Sequence, residues 1–157
     1  MSISLSQLLT HFNKKKSTEN DTDKISKPLN SDILQHFSDM IIDETYNWWE
    51  AIQFVLFKDK EKFTKSECKE YFGFDEDILT TFPNGNILKT ISKAIGINIV
   101  ILKQNNDTII IKKTTHSPTV VLYDESAESN GQIYKPIVYN NSYPGWMPLC
   151  VVLQKLK

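Results

Sequence analysis

The sequence predicts an α+β fold in which N-terminal helices are followed by a small, mostly antiparallel sheet. Two observations carry this. Up to Gly96 the apolar residues recur at helical spacing, most clearly in Ile87, Leu88, Ile91, Ala94 and Ile95 with Lys89 and Lys93 opposite, one face of a 3.6-residue period. From Ile97 onward short β-branched runs alternate with polar turns, the pattern of strands. Helices first and strands afterwards give segregated layers and not alternating βαβ units. A chain of 157 residues without internal repeats suits one domain and an appendage.

Residues 1–30 read as the appendage. Leu5, Leu8, Leu9 and Phe12 fall at i, i+3, i+4 and i+7, an apolar stripe on a helix too short to be stable without something to dock on. Lys14, Lys15 and Lys16 then open a polar tract, and 17–31 reads as a flexible linker. A stripe followed by a linker fits a helix-in-groove recognition peptide; it fits equally a helix folded back onto its own domain. The first 18 residues also lack acid, as a mitochondrial presequence does, but the arginine typical of such segments is missing.

The folded domain is expected over 31–157. Asp32 is placed to cap a helix carrying Ile33, Leu34, Phe37, Met40 and Ile41. Next comes the stretch richest in buriable area, Asn47-Trp48-Trp49-Glu50-Ala51-Ile52 and Gln53-Phe54-Val55-Leu56-Phe57. Trp48, Ile52, Val55 and Leu56 share a helical face, Trp49 and Phe54 widen it, and Thr45 is the expected N-cap with Asp43 and Glu44 at the positive end of the dipole. Thr64 and Glu67 form a capping-box pair for a short helix ending at Gly73. A helical piece over 75–82 stops at Pro83-Asn84-Gly85, and Asn86 is read as the cap of the 87–95 helix. Strands are expected at 97–102 (apolar on both faces, hence central), 108–113, 119–123, 133–139 and 149–154, with Pro136 marking an edge or bulge.

Composition excludes several classes. A net charge of −1 and the absence of arginine among 18 basic residues argue against a direct nucleic-acid binder, since the forked contacts of arginine are missing. Cys68 and Cys150 fit no metal or redox spacing, and three scattered histidines leave no metal site in view. No cofactor loop stands out, so no cofactor is expected. No stretch is long and apolar enough to span a membrane and no secretory signal is visible, so an intracellular location, cytoplasmic or nuclear, is expected.

The order of these pieces resembles the ovarian-tumour (OTU) family of cysteine proteases, most of which are deubiquitinases. Asn47-Trp48-Trp49-Glu50-Ala51-Ile52 lies over the family's Cys-Phe-Phe-Arg-Ala-Ile segment on the nucleophile helix. Residues 87–101 match the helix that leads through a small turn into a strand. Val120-Val121-Leu122-Tyr123 matches a Leu-Leu-Tyr-type strand. Ile133-Tyr134-Lys135-Pro136-Ile137-Val138 matches the segment that begins His-Tyr-Asp/Asn. The resemblance spans roughly residues 40–140 and implies an OTU-like, papain-like fold.

It also implies a degenerate site. The chemistry needs a thiolate at a helix N-terminus, a histidine beside it and a third group to orient that histidine. Asn47 stands at the cysteine position, Ile133 at the histidine position and Lys135 at the orienting position. No catalytic residue is left among them. The resemblance therefore implies an inactive relative that binds proteins or scaffolds a complex, with ubiquitin or a ubiquitin-like protein as one candidate partner. The alternative is an active cysteine hydrolase, a deubiquitinase with a rearranged site using Cys68 or Cys150. Candidate partner-binding residues are Leu5, Leu8, Leu9 and Phe12, together with Trp146 and Met147 in a Pro/Gly loop, where such side chains become interface anchors.

Overall fold

A computed structural model describes residues 23–28, 33–104, 107–128, 131–139 and 144–156. The chain is α+β, and its sheet is covered on both faces. In order, the elements are β1 (Asp23–Pro28), two 3₁₀ turns (Ile33–His36 and Ser38–Met40), α1 (Trp48–Phe57), α2 (Lys65–Phe72), α3 (Glu76–Thr80) and α4 (Gly85–Ile95). Then follow β2 (Asn98–Lys103), β3 (Asp107–Lys112), β4 (Pro118–Asp124), a 3₁₀ turn (Ser126–Glu128), β5 (Tyr134–Ile137), β6 (Met147–Pro148) and α5 (Leu149–Lys155).

The sheet runs β1-β3-β2-β4-β5, with β6 paired to the start of β4. All pairings are antiparallel except β2 with β4. Alternation along the strands sorts the core into two layers. Ile99, Ile101, Ile111, Val120 and Leu122 face α1 and α4, where Trp48, Ile52, Leu56, Leu88, Ile91 and Ile95 meet them. Val100, Leu102, Ile110 and Val121 face the other way and are covered by Phe37, Met147, Val152 and Leu156. As expected, β2 is the central strand, buried on both faces.

The parallel pair needs a crossover, and Asn98 holds it. From β3, on one side of β2, the chain passes the start of β2 through 113–117 and enters β4 on the other side. Asn98 is fully buried at that crossing. Its Oδ1 accepts from the Lys113 N–H, and its Nδ2 donates to the carbonyls of Thr114 and Ser117 at 2.9 Å each and to Thr119 Oγ1 at 3.2 Å. A buried amide with these contacts satisfies backbone groups that the crossover would leave unpaired.

Several expected elements differ. The 149–154 strand is a helix, α5, with only Met147–Pro148 pairing to β4. The β-branched run favours a strand locally, but β4 already has β2 along one edge and β5 and β6 along the other. Leu149, Val152 and Leu156 are buried at i, i+3 and i+7, and Pro148 opens the helix with a φ that suits a helix start. The helix expected after Asp32 is two 3₁₀ turns, and Asp32 lies outside the described residues. Asn84, not Asn86, caps α4, its side chain accepting from the Ile87 N–H at 2.9 Å. Within the expected linker, Asp23–Pro28 pairs antiparallel with β3 along its full length; the pairing is of backbone groups, which the polar composition did not advertise. The stripe Leu5, Leu8, Leu9 and Phe12 lies outside the described residues. Pro136 sits in β5, where Leu122 is its partner and its carbonyl accepts from the Ile42 N–H at 2.8 Å.

Removing the Asn98 side chain takes away its bonds to the Lys113 N–H, to the Thr114 and Ser117 carbonyls and to Thr119 Oγ1. Asn98→Ala is expected to lower the unfolding free energy by about 3 kcal/mol in urea titration. At the C-terminus of α1, Lys58 adopts the left-handed conformation, φ 59°, which glycine takes without a Cβ penalty. Lys58→Gly is expected to raise stability by about 1 kcal/mol, read by the same titration.

Candidate functional site

The N-terminus of α1 is built against the start of β5. Segment 41–46 runs antiparallel beside β5 through bridges Ile41↔Ile137 and Tyr46↔Tyr134. Four residues, 42–45, face only two, 135–136, so the chain bulges there and exposes Asp43, Glu44 and Thr45. Tyr46 and Tyr134 exchange backbone hydrogen bonds of 3.0 and 2.8 Å. The residues flanking that pair, Asn47 and Ile133, are therefore neighbours in register. Tyr46 remains in the extended segment, so the cap falls on Asn47 and not on Thr45.

Each of the three positions is engaged. Asn47 Oδ1 accepts from the Glu50 N–H at 2.8 Å, and Glu50 Oε1 accepts from the Asn47 N–H at 3.0 Å, a complete capping box. Ile133 donates its N–H to Ser126 Oγ at 2.8 Å, and its carbonyl accepts from the Glu125 N–H at 2.8 Å. Lys135 Nζ lies 3.1 Å from Asp43 Oδ1 and 3.2 Å from Glu125 Oε2. Hydrogen bonding to Asp43 and then Glu125 holds the Lys135 ammonium above its usual pKa, against a smaller opposing effect of burial.

Gln132 was not legible as a site residue, yet it closes this end of the molecule. Its Oε1 accepts from the Trp48 N–H at 3.2 Å, and its Nε2 donates to the Thr80 carbonyl at 2.7 Å. Trp48 Nε1 adds a bond of 2.9 Å to the Thr81 carbonyl. Two first-turn donors of α1, on Trp48 and Glu50, are thus satisfied by side chains. Buried Gln53 performs a similar task further along α1, bonding the Lys60 carbonyl at 2.7 Å and the Phe63 N–H at 2.8 Å.

Both cysteines are free thiols. Cys68 is buried and shares a cavity of about 130 Å³ with Asn47, Trp49, Glu50 and Leu79. Burial pushes its thiol pKa up, only partly offset by a hydrogen bond with Trp49. No histidine lines that cavity. His116 belongs to 113–117, before β4, whereas Asp124 at the far end of β4 pairs with Tyr134; six steps of strand separate them by about 20 Å. Cys150 is exposed on α5, not in a strand as expected. Among the described residues no cluster of three His, Cys, Asp or Glu forms that could hold a metal ion, and no helix is long and apolar enough to cross a membrane.

The Pro/Gly loop is drawn into the body. Gly145 donates to the Val55 carbonyl at 2.6 Å, and a Cβ there would lie 2.8 Å from Val138 Cγ1. Trp146 packs, partly buried, against the core around α1. Met147 is fully buried on the opposite face. Expected as an exposed anchor, it fills the core beside Phe37 and Val152 because β6 turns it inward.

Around the bridge, Tyr46 is raised to about 12 by burial and by its hydroxyl's bond to Glu44, and Tyr134 is raised further by burial and by Asp124. A phenol raised in the folded state contributes stability that is complete below its unfolded pKa near 10 and is lost as pH rises toward its folded value. Lys135, also raised, loses its contribution in the same direction. Stability is therefore expected to be independent of these groups from pH 7 to about 10 and to fall above it, by up to about 1.4 kcal/mol per pH unit for each phenol. Tyr46→Phe should flatten that fall in denaturant titrations run at stepped pH. Compared with protein-family models, curated proteins and solved structures, the chain matches none, and the site is read from its own geometry.

Proposed function

We propose that this chain is a non-catalytic OTU-like module that binds proteins as a subunit of a larger assembly. One observation carries the reading: Asn47 at the start of α1 and Ile133 before β5 are register neighbours, the juxtaposition a papain-like cysteine and histidine need, and both are committed to architecture. Asn47 closes a capping box, Ile133 has no proton to exchange, and Lys135 is held between two carboxylates. Binding outlives such losses, because a fold keeps its surfaces when it loses its chemistry. The alternative, hydrolysis through Cys68, is disfavoured by a buried thiol with a raised pKa and no histidine lining its cavity. With Trp146 and Met147 folded inward, docking falls to the stripe Leu5, Leu8, Leu9 and Phe12, and the partner is a protein with a groove for an amphipathic helix. Ubiquitin is one candidate, presented to the domain and not to the stripe.

Three experiments test this. Asn47→Cys alone and together with Ile133→His are followed by the pH profile of iodoacetamide alkylation. The paired variant is expected to alkylate with a thiol pKa at least about one unit lower than the single variant, as a neighbouring imidazolium dictates; identical profiles would remove the family reading. In parallel, full-length protein purified from its native source is compared with a chain lacking residues 1–22, a cut that keeps β1. Stoichiometric partners are expected with the full chain and absent with the shorter one. Turnover of a ubiquitin substrate by the wild-type chain, abolished in Cys68→Ala, would replace the binding reading with the hydrolase.

A further inference from the structure

At the carboxyl ends of β2 and β4 lies an open groove of about 380 Å³, lined by Phe82, Lys103, Gln104, Asp124, Ser126 and Ala127. Its volume is that of a site for a small molecule, about 300–1,000 Å³. It also sits where open sheets bind ligands, outside the carboxyl ends of parallel strands; β2 and β4 are the one parallel pair among the described strands. Asn47 does not line it.

Three features say what it takes. Gln104 Oε1 is buried and has no hydrogen-bond partner, an unfavourable state unless something supplies a donor. Phe82 is 54 % exposed at the groove, an aromatic face with room for a flat ring. Asp124 accepts from the Ser126 N–H at 2.8 Å and from the Tyr134 hydroxyl, and a carboxylate with four acceptor sites keeps capacity for another donor. Lys103 stands opposite Asp124 in register, so the rim offers one charge of each sign and favours a neutral ligand over an anion. An extended peptide is disfavoured, because β2 lies between β3 and β4 and β4 carries β5 at this end, leaving no strand edge for main-chain pairing. Two acceptors and a ring face ask for a compact planar molecule with N–H donors.

We propose that this groove binds a small amino-substituted nitrogen heterocycle of the aminopurine type, its ring against Phe82 and its amino group toward Gln104 Oε1 and Asp124. The inference is independent of the OTU-like reading. The test is saturation-transfer NMR on the full chain with adenine, adenosine and adenosine monophosphate, which separates free base, nucleoside and nucleotide. Purine riboside, which keeps ring and sugar but lacks the amino group, serves as the control. At least one amino-bearing probe is expected to bind by about 1 mM, with purine riboside at least tenfold weaker. Phe82→Ala and Gln104→Leu should each weaken that binding at least tenfold, while Gln104→Leu leaves the melting temperature unchanged or higher. No saturation by any probe at about 10 mM, equal binding of purine riboside, or binding that survives both substitutions would each overturn the proposal.

Discussion

The buried amide of Asn98 is the constraint on which the rest of the sheet depends. A parallel strand pair cannot be closed by a tight turn, and here the connection is β3 followed by 113–117, drawn across the start of β2. Buried N–H and C=O groups on a segment that crosses the end of a sheet need partners, and in this crossing Lys113 and Thr114 are buried. Asn98 answers with one acceptor and two donors in a single side chain. Once β4 is fixed beside β2, β5 pairs with β4, and the backbone of Tyr134 is positioned to receive Tyr46. The location of the α1 N-terminus is thus set from the far end of the same strand.

Both faces of β2 and β4 are apolar, and one layer of helices covers only one of them. Val100, Leu102, Ile110 and Val121 need a second cover, supplied by Phe37 from the 3₁₀ turns and by Met147, Val152 and Leu156 near the C-terminus. This burial demand turns 149–155 into a helix despite its β-branched composition, and it takes Met147 away from the surface. Trp146, next in the chain, goes to the other layer, so two adjacent residues that look like a pair of anchors pack on opposite sides of the sheet.

What was legible in the sequence is what local chemistry decides. Asn47-to-Phe57 reads as the core helix, Thr64 and Glu67 form their capping box, Gly73 and Gly96 end their helices in the left-handed conformation, and β2 is central. What was not legible depends on partners distant in the chain. Thr45 is a good cap by composition, but Tyr46 is bonded to Tyr134 and the helix cannot start before it. Asp23–Pro28 contains one aliphatic residue, Ile25, and becomes a strand because β3 offers a backbone edge. Gln132 and Asn98 are single polar residues whose roles arise only when 84 and 15 to 21 residues of intervening chain have folded. Asn47 and Ile133 flank the Tyr46–Tyr134 pair, and Lys135 follows it in β5, because order along the chain places them at the ends of elements that later pair.

The start of α1 has the energetics of a structural joint. A helix N-terminus used for chemistry keeps donors free to face developing negative charge. In α1 the Glu50 N–H is held by Asn47 and the Trp48 N–H by Gln132, while Gln132 and Trp48 also tie the helix to the end of α3. Every one of these bonds lowers the energy of the resting fold, and none grows stronger as a charge develops. By contrast, the groove across the sheet end keeps an acceptor, Gln104 Oε1, with nothing to bond and an aromatic ring, Phe82, with half its surface uncovered. Unsatisfied groups mark where a protein still has binding energy to give, and of the buried unpartnered atoms Gln104 Oε1, Thr108 Oγ1 and Trp146 Nε1, it is Gln104 Oε1 that belongs to a residue lining the open groove at the carboxyl ends of β2 and β4.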